Sequence, residues 1–258
     1  MMILYGAEHH LLILSDKIDA DEHGHTFLQL TISLEDELEI EVEGQVVGCS
    51  GILIDSNVVH RLQGAGRPLL LLLMDSTSDM AASFKRYIGE RKYAVLPTET
   101  VRTMSELVQS EHPHVKDTDS YIAFLEQLTA LMGVERTKTA ITDSRIREFI
   151  QLVKDCTDSE HSVSLYARKL SLSNSRLSHL FKENTGISLS GYMLLHKLQK
   201  ASYLIFQGLS ITDAAMTAGF DSPSHLAATS KRLLGMNAKD IRKDSVFLQV
   251  SCLHERYT

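Results

Sequence analysis

His23 and His25 form a His-x-His pair, Gln29 follows four residues later, and His60 stands further along the chain. Imidazole nitrogens brought together from neighbouring strands are ligands for borderline transition metals. A carboxamide at position 29 binds a divalent ion more weakly than a carboxylate would. His23, His25, Gln29 and His60 therefore read as candidates for an effector pocket satisfied by hydrogen bonds, with no metal and no other cofactor expected. A second chemistry lies in the other half of the chain. Ser173, Asn174, Ser175, Arg176, His179 and Lys182, and again Ser222, Ser224, His225 and Lys231, are short polar or basic side chains near the start of apolar-periodic runs. Such groups at a helix N-terminus reach base edges in a major groove and hold phosphate. The sequence shows no Gly-rich phosphate loop, Ser/His/Asp spacing or paired catalytic carboxylates, and it reads as a non-enzyme.

The elements that carry the second set repeat. Residues 163–186 align with 211–235: Ser173 matches Ser222, Leu177 matches Leu226, Lys182 matches Lys231 and Gly186 matches Gly235. Each copy reads as a short helix, a turn and a capped second helix. Gly219 supplies the positive φ of the second turn, and Ser222 before Pro223 is an N-cap followed by a first-turn proline. Ser162 and Ser173 cap the helices of the first copy, where Leu177, Leu180 and Phe181 form the apolar stripe. Tyr192, Leu195, Leu198, Ala201 and Ile205 predict one stiff linker helix between the copies, ended by Gly208. Ile146, Phe149, Ile150 and Val153 predict a helix before them.

The N-terminal half alternates instead. Leu28, Leu30, Ile32 and Leu34 oppose Gln29, Thr31 and Ser33, which predicts a half-buried strand. Leu38, Ile40 and Val42 oppose three glutamates, with a turn at Gly44-Gln45. Shorter runs follow at 46–47, 52–54 and 58–59, then Leu69 to Met74. Strands at this spacing predict a sandwich or small barrel. Residues 98–110 and 118–132 are helix-periodic and are expected to cover the barrel or to pair between subunits. The chain thus divides into residues 1–133, a linker at 134–140, and 141–258.

With 258 residues, 43% of them hydrophobic, the chain has room for two domains. The net charge of -7 is uneven: residues 1–139 hold 11 Lys/Arg and 22 Asp/Glu, and residues 140–258 hold 15 and 11. The basic half permits a nucleic-acid partner. Cys49, Cys156 and Cys252 are odd in number and lack a CxxC pair, so neither a disulfide framework nor a zinc ribbon is expected. The longest aliphatic run is too short to span a bilayer, and the expected location is the cytoplasm.

The stretches "LSNSRLSHLFKENTGISLSGY" at 172–192, "KLQKA" at 197–201 and "ITDAAMTAGF" at 211–220, with Gly235 and Arg242, resemble the DNA-binding domain of the AraC/XylS transcription regulators. Residues 25–75 resemble the cupin-like barrel of the same family. The resemblance implies an α+β multidomain chain: a cupin-like β-barrel with appended helices, then an all-α domain of two helix-turn-helix units joined by a linker helix. It implies a sequence-specific regulator of transcription that binds double-stranded DNA, answers to a small-molecule effector, forms a homodimer and contacts RNA polymerase. The alternative is a cupin-like metalloenzyme with a helical assembly domain. The chain departs from the family pattern at His179 and Ala228, where each reading helix commonly has Arg, at Lys197 for a linker-helix Arg, at Ser230 for a core aromatic, and at Asn237-Ala238 for Thr-Pro. In the barrel, Gln29 stands for a glutamate, and Asn57 and Val59 for Pro and Gly.

Overall fold

Most of the strands in the first 95 residues are apolar runs that bury at least one face. The computed structural model describes residues 2–7, 9–154, 162–235 and 245–250. Its larger sheet runs β10 (Tyr93–Val95), β7 (Gly51–Ile54), β4 (Phe27–Ser33), β9 (Leu69–Asp75), β2 (His10–Ser15), β1 (Met2–Ala7) and β11 (Ser245–Val250) in spatial order. The smaller runs β3 (Asp19–His23), β8 (His60–Gln63), β5 (Leu38–Val42) and β6 (Gln45–Cys49). The run expected at 58–59 is displaced: the strand begins at His60, after a turn in which Asn57 takes a φ of 63°. The β5–β6 turn falls on Glu43 and Gly44, both at positive φ, and Gln45 already pairs with Val42.

β4 is not half-buried, because all seven of its residues are inside. Leu28, Leu30 and Ile32 pack outward against α1 (Asp79–Ile88), α2 (Thr98–Glu111) and α3 (Thr118–Ala130), in one apolar cluster with Phe84, Met104 and Leu125. Its polar residues Gln29, Thr31 and Ser33 therefore point into the space between the sheets. The helices cover the barrel. Each buried leucine on that face contributes about 1.5–3 kcal/mol.

The segment 134–140 has no regular secondary structure, yet it is fastened to α1. Thr137 N donates to Ser83 Oγ at 2.8 Å and Thr139 N to Asp79 Oδ1 at 2.7 Å. Beyond it come α4 (Ser144–Lys154), α5 (Val163–Lys169), α6 (Asn174–Thr185), α7 (Leu189–Phe206), α8 (Ile211–Thr217) and α9 (Pro223–Leu234). Both expected helix-turn-helix units and the linker helix are present.

The two units are packed differently. α4, α5, α6 and the start of α7 enclose their own core around Phe149, Tyr166, Phe181 and Tyr192. Leu198, Ile205, Ala215, Phe220, Leu226 and Leu234 of the second unit instead join the apolar cluster that fills the barrel between its sheets. β11 pairs in parallel with β1, from Met2 opposite Ser245 to Ala7 opposite Val250. Cys49 is buried. Cys156, Cys252, His254, Asn237-Ala238 and Arg242 lie outside the described residues.

Candidate functional site

α6, the first candidate reading helix, is defined at both ends by side-chain and backbone chemistry. Ser173 Oγ accepts from Arg176 N at 3.2 Å, satisfying one orphan amide of α6, and Gly186 closes the helix in the left-handed region at φ 74°. Leu177, Leu180 and Phe181 are buried. That fixes the opposite face: Ser173, Asn174, Ser175, Arg176, His179 and Lys182 are all exposed. Asn174 Nδ2 donates to Ser164 Oγ at 2.8 Å, tying the start of α6 to α5.

α9, its counterpart in the second unit, is capped in the same way but is engaged elsewhere. Ser222 Oγ accepts from His225 N at 3.1 Å. Ser224, Ala227 and Ala228 are exposed, whereas Ser222 and His225 are half-buried. The His225 ring sits edge-on to Phe220 and its Nδ1 lies 3.1 Å from Asp221 Oδ2. At the far end the helix docks on the barrel. Lys231 Nζ donates to Asp19 O at 2.7 Å and to Gly235 O at 3.2 Å, and Asp19 N donates to Gly235 O at 3.2 Å. The sequence grouped Lys231 with the reading residues; the structure turns its ammonium to the first strand of the small sheet.

α7 fixes the spacing of the two units. Ser188 caps it, and Gly191 in its first turn lies against the barrel, where an added Cβ would stand 2.4 Å from Thr26 Cγ2. Lys197 Nζ donates to Gly219 O at 2.6 Å, so the linker helix holds the second turn. Sequence reading missed this role. Its one signal was a cation at helical spacing among apolar residues.

His23, His25 and His60 lie together, with Gln29 beside them. His23 and His60 are cross-strand partners in β3 and β8, and their ring centroids are 4.5 Å apart. His25 lies 5.3 Å from His23 and 4.9 Å from His60 by the same measure. Asn57 N donates to His25 O at 2.7 Å, which joins the turn before β8 to the end of β3. All three rings are inside, at 7%, 6% and 1% relative exposure, so they are shielded from bulk solvent. Burial pushes all three imidazoles below the ordinary histidine range, His60 to about 4. The neighbouring imidazoles add to this at His25 and His60, and the Arg232 guanidinium on α9 adds to it at His23.

Residues 166–244 match a family model described as a helix-turn-helix domain. Among curated proteins, the arabinose operon regulatory protein of Escherichia coli is 29% identical over 125 residues, covering 47% of this chain and 43% of the relative. The Msm operon regulatory protein of Streptococcus mutans is 27% identical over 108 residues, 40% of this chain and 39% of its own length. The chain thus matches less than half the length of these relatives. Among solved structures, an apo ToxT variant from Vibrio cholerae superposes with a TM-score of 0.54 at 10% identity, over 90% of this chain and 96% of the other. Wild-type ToxT bound to an unsaturated fatty acid gives 0.51 at 12% identity, over 90% and 94%. At such identities these two show a shared fold, barrel and double helix-turn-helix together. No described helix is long and apolar enough to cross a membrane. With the sequence match at residues 166–244 and the paired capped helices within it, this part of the chain is a helix-turn-helix domain.

Proposed function

We propose that the protein is a sequence-specific DNA-binding regulator of transcription whose barrel controls its second reading helix. The observation that carries this reading is the asymmetry of the two units. α6 presents an exposed polar and basic face on a self-contained core, while α9 is held at its C-terminal end by Asp19 of the barrel. α6 reads sequence through Arg176, His179 and its capped N-terminus, and α9, poorer in hydrogen-bonding groups, chiefly holds backbone. An effector on the barrel acts by changing the docking of α9. Homodimerisation and contact with RNA polymerase belong to the same reading.

The test is fluorescence anisotropy on genomic fragments selected by the purified protein. Arg176→Ala is expected to lower affinity about 5- to 150-fold for preferred fragments and to relax their ranking, the loss of about 1–3 kcal/mol of base discrimination. Affinity is expected to fall steeply with salt for every fragment. Unchanged affinity and ranking in Arg176→Ala would remove α6 as the reading helix.

A further inference from the structure

Each ring of the histidine cluster has one nitrogen engaged by an oxygen. His23 Nδ1 lies 2.7 Å from Asp21 O, and His60 Nδ1 lies 3.0 Å from Val58 O. A carbonyl can only accept, so each of these rings carries its proton on Nδ1 and leaves a lone pair on Nε2. His25 Nε2 lies 3.0 Å from Gln29 Oε1, and the amide nitrogen of Gln29 donates to Thr31 Oγ1 at 3.0 Å. The Gln29 oxygen therefore accepts from His25 Nε2–H, which leaves the lone pair of His25 on Nδ1. The three nitrogens left over, His23 Nε2, His25 Nδ1 and His60 Nε2, are buried, have no hydrogen-bond partner among the described residues, and all lie within 4.8 Å of one another. Three converging acceptors without a donor are costly in a protein interior. Oxygen acceptors that fix the tautomer from behind are what metal-binding imidazoles require.

We propose that His23 Nε2, His25 Nδ1 and His60 Nε2 bind one first-row divalent transition metal ion, and that this ion is the effector acting on the docked second helix-turn-helix unit. Gln29 is then a positioning residue that orients His25 and not a ligand. Nitrogen-only ligation selects zinc, nickel, cobalt or iron(II) over magnesium and calcium, which take oxygen ligands. Tetrahedral ligation at about 2.0–2.1 Å brings neighbouring ligand atoms to about 3.4 Å, so binding draws the rings together by at most about 1.5 Å for any pair. A fourth position stays open for water or an anion.

The coupling rests on the regulator reading and on β3. His23 ends the strand whose first residue, Asp19, holds Lys231 and Gly235, and Arg232 lies near enough for its charge to bear on His23. Loading places two further positive charges beside Arg232 and pulls the end of β3 toward β8. The docking of α9 is weakened.

The full-length chain, stripped with chelator, is titrated with cobalt(II) and followed by visible absorption, and zinc(II) reloading is quantified by elemental analysis after gel filtration. The expected result is one ion per chain with the intense absorption of a nitrogen-ligated four-coordinate site, and at least a tenfold loss of affinity in His60→Gln and His23→Gln. Wild-type protein that binds no cobalt overturns the site whether or not the variants fold. Gln29→Glu, which supplies a carboxylate beside the trio, is expected to keep or strengthen binding; loss of binding in a folded Gln29→Glu protein also counts against the site. Hydrogen exchange of residues 222–235 is expected to quicken at least threefold on loading. A metal-bound protein with unchanged exchange there overturns the effector role and leaves DNA reading by α6 untouched.

Discussion

The ammonium of Lys197, in the middle of α7, donates to the carbonyl oxygen of Gly219 at 2.6 Å. One side chain therefore joins the helix that spaces the two units to the turn that aims the second. Lys197→Met keeps the aliphatic stem and deletes the donor. It is expected to cost about 1.5–3 kcal/mol, the value of a hydrogen bond to a charged group, read as a lower urea midpoint with unchanged m-value. Lys197→Arg is expected to recover part of this loss.

The turns of the two units solve one backbone problem with different residues. Gly219 has φ 82°, and Ser171, its counterpart in the first unit, has φ 55°. A side chain in the left-handed region costs about 1–2 kcal/mol. A Cβ on Gly219 would meet Lys197 Cε at 3.5 Å and Nζ at 3.8 Å, both ordinary contacts, so Gly219→Ala should lose about that backbone amount. Ser171→Gly removes a similar strain at the expense of a more flexible unfolded chain, and its thermal midpoint is expected to stay level or rise slightly. A marked fall in Ser171→Gly would show that its hydroxyl holds the turn.

Gly191 is where the helical region leans on the barrel. An added Cβ would stand 2.4 Å from Thr26 Cγ2, 2.9 Å from Ser188 Oγ and 3.3 Å from Thr26 Oγ1. Gly191→Ala is expected to destabilise by about 1–3 kcal/mol through overpacking. Thr26→Ser removes the nearest obstacle, so the double variant should recover more than half of that loss. Additive costs in this double-mutant cycle would mean that the two residues do not meet.

His10 makes the barrel acid-sensitive. It is fully buried, shares a 2.6 Å hydrogen bond with Tyr121 Oη, and stacks on the Tyr121 ring, which also stacks with Tyr5. Burial pushes its pKa down from 6.5 to about 3. The folded state thus binds fewer protons than the unfolded state between these values. The stability held by neutral His10 is complete above pH 6.5 and falls by about 1.4 kcal/mol per pH unit as the pH drops toward 3. Urea unfolding of wild type and His10→Gln between pH 7 and pH 5 checks this: the variant should show the shallower dependence.

Periodicity and punctuation made the helical half legible. Ser162, Ser173 and Ser222 are N-caps as expected, Gly186 and Gly235 close their helices, and the apolar stripe of α6 is buried. The barrel was legible as strands but not as surfaces. Alternation in β4 marks two faces, and nothing local says that α1–α3 will cover the apolar one and so send Gln29 and Thr31 inward. The histidines could be grouped from their spacing. Which nitrogen each ring leaves over could not, because that depends on the carbonyls of Asp21 and Val58 and on the Gln29 amide. The role of Lys197 and the seat of Lys231 on Asp19 are tertiary contacts between distant segments, invisible to any window along the chain.

The parallel pairing of β11 with β1 gives the helical region a second mooring. Its entry is fastened through Thr137 and Thr139 to α1, and the chain after it rejoins the outer edge of the large sheet. A domain anchored at both ends cannot swing away like a flail on one cord. Loosening α9 from Asp19 would therefore leave the helical region still tethered at entry and exit, so its travel is bounded.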